Sequence, residues 1–349
     1  MKASFQPYTL NFKQASGTSR GVLKTKDTWF IIINDGTKKG IGECGMFRGL
    51  SFDDTPHYEA KLQWVCDHIN LGLQALLIET TQYPSIQFGL EMAFKSLESI
   101  DGFELFPSKF TKGNDAISIN GLIWMGSATF MKEQIREKID QGFKCIKLKI
   151  GAIDFSTEIG LLKSIRETYS AQDMELRVDA NGAFSPKEAL EKLDQLSKFD
   201  LHSIEQPIKQ GQLEAMAKLC EQTPLSIALD EELIGVFSEE KKEALLQQIK
   251  PQYIILKPTL VGGCSGSESW IEKAESHNIG WWITSALESN IGLNAIAQWT
   301  YTLKNNRPQG LGTGGLFSNN FDAPLLVKNG KLRYDKSISW SIKNDHFNY

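Results

Sequence analysis

Apolar and polar residues alternate along this chain with two different periods, and the change of regime divides it. Near the start, a β-rich apolar run at 30–33 leads into Asn34, Asp35 and Gly36, and a second strand-like run follows at 41–44. Turn residues between two such runs predict a β-hairpin. Helical spacing follows at 58–77 and 86–100, so the first third reads as mixed α and β. From residue 116 the pattern becomes regular. Short β-rich runs at 116–120, 145–150, 175–179, 201–205, 225–230, 253–257, 280–285 and 309–311 are separated by seven amphipathic segments, among them 131–141, 158–169, 186–198 and 267–277. Strands alternating with helices predict a parallel sheet joined by right-handed crossovers. Eight of them in succession predict closure into a barrel.

The polar residues that end these runs keep a common step. Asn120, Lys149, Asp179, Glu205, Asp230, Lys257 and Ser285 are separated by 29, 30, 26, 25, 27 and 28 residues. Each interval is close to one βαβ repeat, so each residue is expected at the same place on its own strand. In a parallel barrel that place is the carboxyl-end mouth, where active sites are assembled. Strand parity adds direction. In Cys145-Ile146-Lys147-Leu148-Lys149 alternate side chains take opposite faces, which sends both lysines into the lumen and the two apolar residues toward the helices. The same count turns Ser203 and Glu205 inward and His202 outward, and gives Tyr253, Ile255 and Lys257 one face.

Composition excludes more than it selects. With 349 residues, 41% hydrophobic and 23% charged, the chain is neither disordered nor fibrous, and it is long enough for two domains or one large domain with an appendage. A net charge of −4 with dispersed Lys and Arg lacks the basic footprint of a nucleic-acid binder. The apolar runs at 29–33 and 280–284 fall far short of the ~18 residues of a membrane span, and residues 1–19 have no signal-peptide centre. Five scattered cysteines with no C-x-x-C pair argue against a disulfide framework, and a cytoplasmic location is expected.

Asp179, Glu205 and Asp230, on successive strand ends, make a hard-oxygen set suited to Mg²⁺. No Cys or His shares their register, which argues against zinc. A structural network with Lys and Arg is the competing reading of the same acids. Lys149 and Lys257 flank them from opposite sides. A neighbouring cation, Lys147 or the metal, is expected to disfavour the ammonium form and lower the pKa toward base strength. The chemistry that fits is removal of a proton α to a carboxylate, with the metal stabilising the enediolate and a lysine taking the proton.

Five stretches carry a resemblance. Ile146-Lys147-Leu148-Lys149, Val178-Asp179-Ala180-Asn181-Gly182, Ile204-Glu205-Gln206-Pro207, Leu229-Asp230-Glu231 and Leu256-Lys257-Pro258, in this order, resemble the muconate-lactonizing subgroup of the enolase superfamily along essentially the whole chain. Gly42-Glu43-Cys44-Gly45, Asn120-Gly121-Leu122-Ile123-Trp124 and Ser285-Ala286-Leu287-Glu288-Ser289-Asn290 are similar to members that dehydrate 2-succinyl-6-hydroxy-2,4-cyclohexadiene-1-carboxylate to an aromatic product in menaquinone biosynthesis. The resemblance implies an α/β fold: a (β/α)7β TIM-like barrel at 106–317 with an N-terminal α+β capping domain at 1–105, completed by the tail 318–349. That superfamily pairs a Lys or His base with Mg²⁺. Carried onto this chain, Lys149 removes the α-proton and then protonates the departing hydroxyl on the same face, while Lys257 stabilises the enediolate from the other. Asp179, Glu205 and Asp230 bind Mg²⁺, with Lys147 and Asn181 supporting them. Asn120, Ser285 and Arg20 join Lys147 and Asn181 as contacts for a small anionic substrate, and capping loops around Ser19-Arg20 and 46–50 close over it. Neither nucleic acid nor membrane is an expected partner.

Other signals carry less. Gly310-Leu311-Gly312-Thr313-Gly314-Gly315 fits G-x-G-x-x-G but lacks the following helix and acidic residue of a dinucleotide site, so it reads as a tight turn. Val261-Gly262-Gly263-Cys264-Ser265-Gly266 is compatible with backbone anion binding and with an ordinary helix cap. None of the five histidines stands at a strand end in the barrel register. Two other functions are compatible with the site. Racemases and dipeptide epimerases of the superfamily share the two-lysine geometry, although the Asp-x-Asp that dipeptide epimerases carry at the eighth strand is replaced here by Gly310-Leu311-Gly312-Thr313. A non-catalytic binding homologue is the second, and the intact set of lysines and acids speaks against it.

Overall fold

The computed structural model describes residues 1–18 and 21–342. Its amino-terminal unit is a three-stranded antiparallel sheet, β1 (Lys2–Thr18), β2 (Gly21–Asn34) and β3 (Lys39–Cys44), in chain order. The expected hairpin is β2–β3. Its turn is held by side chains, with the Gly36 amide donating to Asn34 Oδ1 at 2.8 Å and the Thr37 and Lys38 amides donating to Asp35. The helical stretch expected at 58–77 divides into α1 (Tyr58–Asp67), a single 3-10 turn and α2 (Leu73–Glu79), because Gly72 breaks it at φ 81°. Then α3 (Pro84–Glu98) lies on β3 backbone to backbone: a Cβ on Gly42 would collide with the Gly89 carbonyl.

The chain next forms β4 (Ala116–Ser118) and β5 (Gly121–Ile123), two short strands that belong to different sheets. Helices and strands then alternate: α4 (Ala128–Asp140), β6 (Cys145–Lys149), α5 (Phe155–Arg166), β7 (Glu175–Asp179), α6 (Pro186–Ser197), β8 (Ser203–Glu205), α7 (Leu213–Gln222), β9 (Ile227–Leu229), α8 (Glu239–Ile249), β10 (Tyr253–Leu256), α9 (Pro258–Val261), α10 (Gly263–Ser276), β11 (Gly280–Ile283) and α11 (Asn290–Thr302). β5 to β11 make one curled parallel sheet in sequence order. Parallel bridges Thr284–Gly310 and Ile119–Gln309 close it, so 309–310 takes the eighth position without a continuous ladder. The architecture is the TIM-like barrel with a separate antiparallel unit.

The tail has two attachments. Phe317 packs on Phe12 with ring centres 4.7 Å apart, and Tyr8 donates to the Asn319 carbonyl at 2.7 Å, which places this part on β1. Beyond it, β12 (Leu325–Lys328) pairs with β13 (Lys331–Tyr334), and β13 pairs with β4 at the foot of the first barrel strand. At the base of the lumen Ala228, Tyr253, Ile255 and Trp282 form their own apolar cluster, with the Arg177 guanidinium 4.2 Å from the Trp282 ring centre. His202 departs from its expected outward direction. It stands one residue before β8, where strand parity does not hold, and its ring stacks on Tyr253 at 4.8 Å. Among the described residues no helix is long and apolar enough to cross a membrane.

Candidate active site

β6, β7 and β8 run in direct register, with Lys149 opposite Asp179 and Asp179 opposite Glu205. Three charged side chains from adjacent strands therefore meet at one level of the lumen. Lys149 Nζ donates to Asp179 Oδ2 at 2.8 Å and to Asn181 Oδ1 at 2.7 Å. Lys147, on the same face two residues earlier, reaches Asp179 Oδ2 at 3.0 Å and pairs closely with Glu205. Lys257, directly after β10, pairs closely with Asp230 and lies 4.0 Å from Glu205 Oε1. All three carboxylates are buried, and three lysines are drawn onto them.

Electrostatics follow from that packing. Burial opposes ionisation of Asp179, but Lys147 and Lys149 outweigh it and hold the carboxyl far below the usual range. Burial also raises Asp230, and Lys257 reverses the shift. Glu205 is the exception: burial, with Asp179 beside it, pushes its carboxyl up to about 8 despite Lys147. For Lys147 and Lys257, burial favours the neutral amine, yet the surrounding carboxylates prevail and raise both. The expected lowering thus does not occur at Lys257 in this charge arrangement, because Asp230 touches the ammonium directly.

Two backbone positions aim the site. Asn181 (φ 43°) and Gln206 (φ 40°) take left-handed conformations just past β7 and β8, a cost that neighbouring bonds must offset. The Asn181 amide donates to Asp179 Oδ1 at 3.0 Å and its side chain to Glu231 at 3.0 Å. Gln206 accepts from the amides of Asp230 and Glu232 and donates to Glu232 Oε2.

A cavity of about 430 Å³ opens over these groups. Lys147, Lys149, Asp179, Asn181, Lys257 and Ser285 line its polar side, and Ser285 Oγ is 2.6 Å from Thr313 Oγ1. Phe47, Leu50, Trp124, Leu287 and Leu316 line the opposite, apolar side. Phe47 and Leu50 belong to the 46–50 loop expected over the substrate, whereas Trp124, Leu287 and Leu316 come from separate loops that share no spacing. Trp124 is fixed through its backbone, since Gln134 bonds both its N–H and its carbonyl, at 2.9 and 3.0 Å. Asn120 also lines the cavity but is not at the strand end. The pairing of Gly121 with Ile146 sets Trp124, not Asn120, opposite Lys149, and Asn120 lies level with Cys145. Ser19 and Arg20 fall outside the described residues.

Among the described residues no three Asp, Glu, His or Cys side chains converge in ready metal-ligand geometry, since the ammoniums are drawn onto the carboxylates. The donor set nevertheless fits a hard divalent cation. Asp179, Glu205 and Asp230 are all oxygen donors, and Glu205 Oε1 is buried with no hydrogen-bond partner, a state that a cation would relieve. The turn at 261–266 does receive an anion on its backbone amides, and that anion is Glu91 of α3. Its carboxylate accepts from Cys264 and Ser265 at 2.6 and 3.0 Å.

Residues 130–338 match the family described as enolase C-terminal domain-like. The chain is 46% identical to the o-succinylbenzoate synthase of Desulfotalea psychrophila, across 95% of this chain and 98% of that protein. It superposes on the crystal structure of MenC from Desulfotalea psychrophila LSv54 with a TM-score of 0.85 and 43% identity, covering 95% of this chain and 99% of the other. Similarity to the L-Ala-D/L-Glu epimerase of Bacillus subtilis is lower, 27% identity across 64% of this chain and 59% of that protein.

Proposed function

The chain belongs to the enolase superfamily, and from that membership we propose that it is a lyase with the activity of its synthase relative, dehydrating 2-succinyl-6-hydroxy-2,4-cyclohexadiene-1-carboxylate to o-succinylbenzoate. One observation carries this reading: Lys149 and Lys257 enter a single cavity from strands on either side of three buried carboxylates. Superfamily members use Mg²⁺, and we assign it here to Asp179, Glu205 and Asp230. Bound there, Mg²⁺ would lend positive charge to the substrate carboxylate whose α-carbon gives up its proton.

The protein's own groups do the rest. With its ammonium proton first released to solvent, Lys149 Nζ, positioned by Asp179 and Asn181, takes the ring proton next to the carboxylate, breaking C–H and forming N–H while the electron pair moves into the carboxylate. The same nitrogen then delivers that proton to the hydroxyl leaving from the adjacent ring carbon, so water departs and the ring becomes aromatic. Lys257, pinned by Asp230, places a fixed ammonium on the other face, where negative charge grows. Lys147 holds Asp179 and Glu205 together. Asn181 and Ser285 supply polar contacts on the cavity wall, Asn120 one lower in the lumen, and Trp124 with Leu287 an apolar surface for the ring. Arg20 is retained as a further contact for the anionic substrate.

Purified protein with Mg²⁺ should convert the hydroxycyclohexadiene to an aromatic product that absorbs in the ultraviolet, and leave dipeptides and N-succinylamino acids stereochemically unchanged. Racemisation without aromatisation would transfer the site to the epimerase reading. The cavity wall at Gly310, Gly312 and Thr313 has no acid to hold a substrate ammonium, which favours the synthase.

A further inference from the structure

Two carboxylates of the amino-terminal unit cap two successive barrel helices. Glu91 docks on α10, as described, and Glu43 of β3 docks on α11. Glu43 Oε1 accepts from the Ser289 amide and from Thr28 Oγ1, both at 2.9 Å. Its Oε2 accepts from Ser289 Oγ at 2.5 Å and from the Gly292 amide at 2.8 Å. These amides are among those that a helix start leaves unpaired, and the positive end of the helix dipole favours an anion there. Glu43 is completely buried. Gly292 makes the approach possible, since a Cβ on it would press on Glu43 Oε2 and on the Glu288 side chain, each at 2.8 Å.

A second acid extends the cluster. Glu288 binds Thr259 Oγ1 and accepts from the Ala286 amide at 2.8 Å. Lys26 of β2 is buried with no hydrogen-bond partner for Nζ, and its charge faces Glu43 and Glu288. Four stretches of chain are thereby tied together: β2, β3, the turn 285–289, and Thr259 two residues after Lys257. The turn matters because Ser285, Ala286 and Leu287 line the cavity, whereas Glu43 does not.

We propose that Glu43 is a positioning residue for the dehydration: by capping α11 from the neighbouring unit, it fixes the 285–289 turn and with it the wall against which substrate binds. The proposal rests on the synthase reading above for its catalytic readout and on geometry alone for its structural one. Lys149, on β6, has no contact with this cluster, so the effect should fall on KM more than on kcat.

The test uses full-length, Mg²⁺-loaded protein carrying Glu43→Gln, Ser289→Ala or Glu91→Gln, each compared with wild type at a temperature where circular dichroism shows it folded. Glu43→Gln should raise deuterium uptake at amides 285–292 and increase KM about tenfold, with kcat changed less than about threefold. Glu91→Gln should leave both unchanged while raising uptake at 263–266. Ser289→Ala keeps the Glu43 charge but removes one donor, and should move uptake and KM in the same direction by about threefold. It carries the test if Glu43→Gln does not fold. Wild-type uptake at 285–292 in whichever of Glu43→Gln and Ser289→Ala folds overturns the proposal, as does an equal KM increase in Glu91→Gln. Failure of wild-type protein to dehydrate the diene counts against the synthase reading instead, and the exchange data still decide the positioning role.

Discussion

Lys147 and Lys149 share one acceptor atom: both ammoniums contact Asp179 Oδ2, at 3.0 and 2.8 Å. The relationship follows from strand parity, which puts both lysines on one face, and from the register that sets Lys149 opposite Asp179. Lys147, Lys149 and Lys257 meet Asp179, Glu205 and Asp230 in equal number, and a divalent cation would replace lysine contacts on these carboxylates while drawing an anionic substrate to them.

Lys147 should accordingly be a charge-balancing residue whose loss a cation can compensate. Lys147→Met leaves Glu205 and part of Asp179 buried without their ammonium, a change that typically costs about 3–5 kcal/mol. The melting temperature should fall in metal-free buffer and recover more on adding Mg²⁺ than it rises in wild type. An equal Mg²⁺ increment in both proteins would show that the cation does not meet these carboxylates.

A pH dependence of stability is expected from Glu158. Its carboxylate gathers the amide of Gly151, at 2.7 Å, and those of Ala152 and Ile153, directly after Lys149. Burial nevertheless raises its pKa from 4.5 to about 7. Since the folded value lies above the unfolded one, the contribution is complete below pH 4.5 and is lost as pH rises through 7. In Glu158→Gln that loss disappears, so the fall in Tm between pH 5 and pH 8 should be smaller than in wild type by about 3 °C. Parallel profiles would assign the pH dependence elsewhere.

Gly42 tests the docking of β3 on α3. Gly42→Ala drives a methyl group into the Gly89 carbonyl, an overpacking expected to cost about 1–3 kcal/mol or more. Limited proteolysis should then cleave the amino-terminal unit at a protease concentration that leaves wild type intact. Unchanged protection would mean that the interface adjusts.

Much of the site could be read from the chain because its residues recur at the βαβ step. Lys149, Asp179 and Glu205 end their strands, Asp230 and Lys257 directly follow theirs, and parallel register carries that sequence order into space. Other features left no such trace. β1 is absent from the expected elements although Tyr8, Leu10 and Phe12 alternate with the exposed Thr9, Asn11 and Lys13, because that alternation covers only a short part of a strand otherwise mixed in polarity. Asn120 does not end the first barrel strand because the run expected there, 116–120, holds β4, which pairs with the tail, and the barrel strand is β5 just after it at 121–123. Spacing also says where a lysine points but not what it meets, and the contact of Lys257 with Asp230 decides its charge. Glu43 and Glu288 stood in recognisable motifs, but only the folded chain brings Glu43 to the amide of Gly292, 249 residues away.

In the proposed dehydration Lys149 is the group that moves the proton. Its most direct test is the turnover number of Lys149→Ala on the hydroxycyclohexadiene carboxylate with saturating Mg²⁺, beside wild type. Asp179 keeps Lys147 as a partner in this variant, so fold and the Mg²⁺-induced rise in Tm should be retained while kcat drops at least about 10³-fold. A kcat within tenfold of wild type would remove Lys149 from the proton-transfer role.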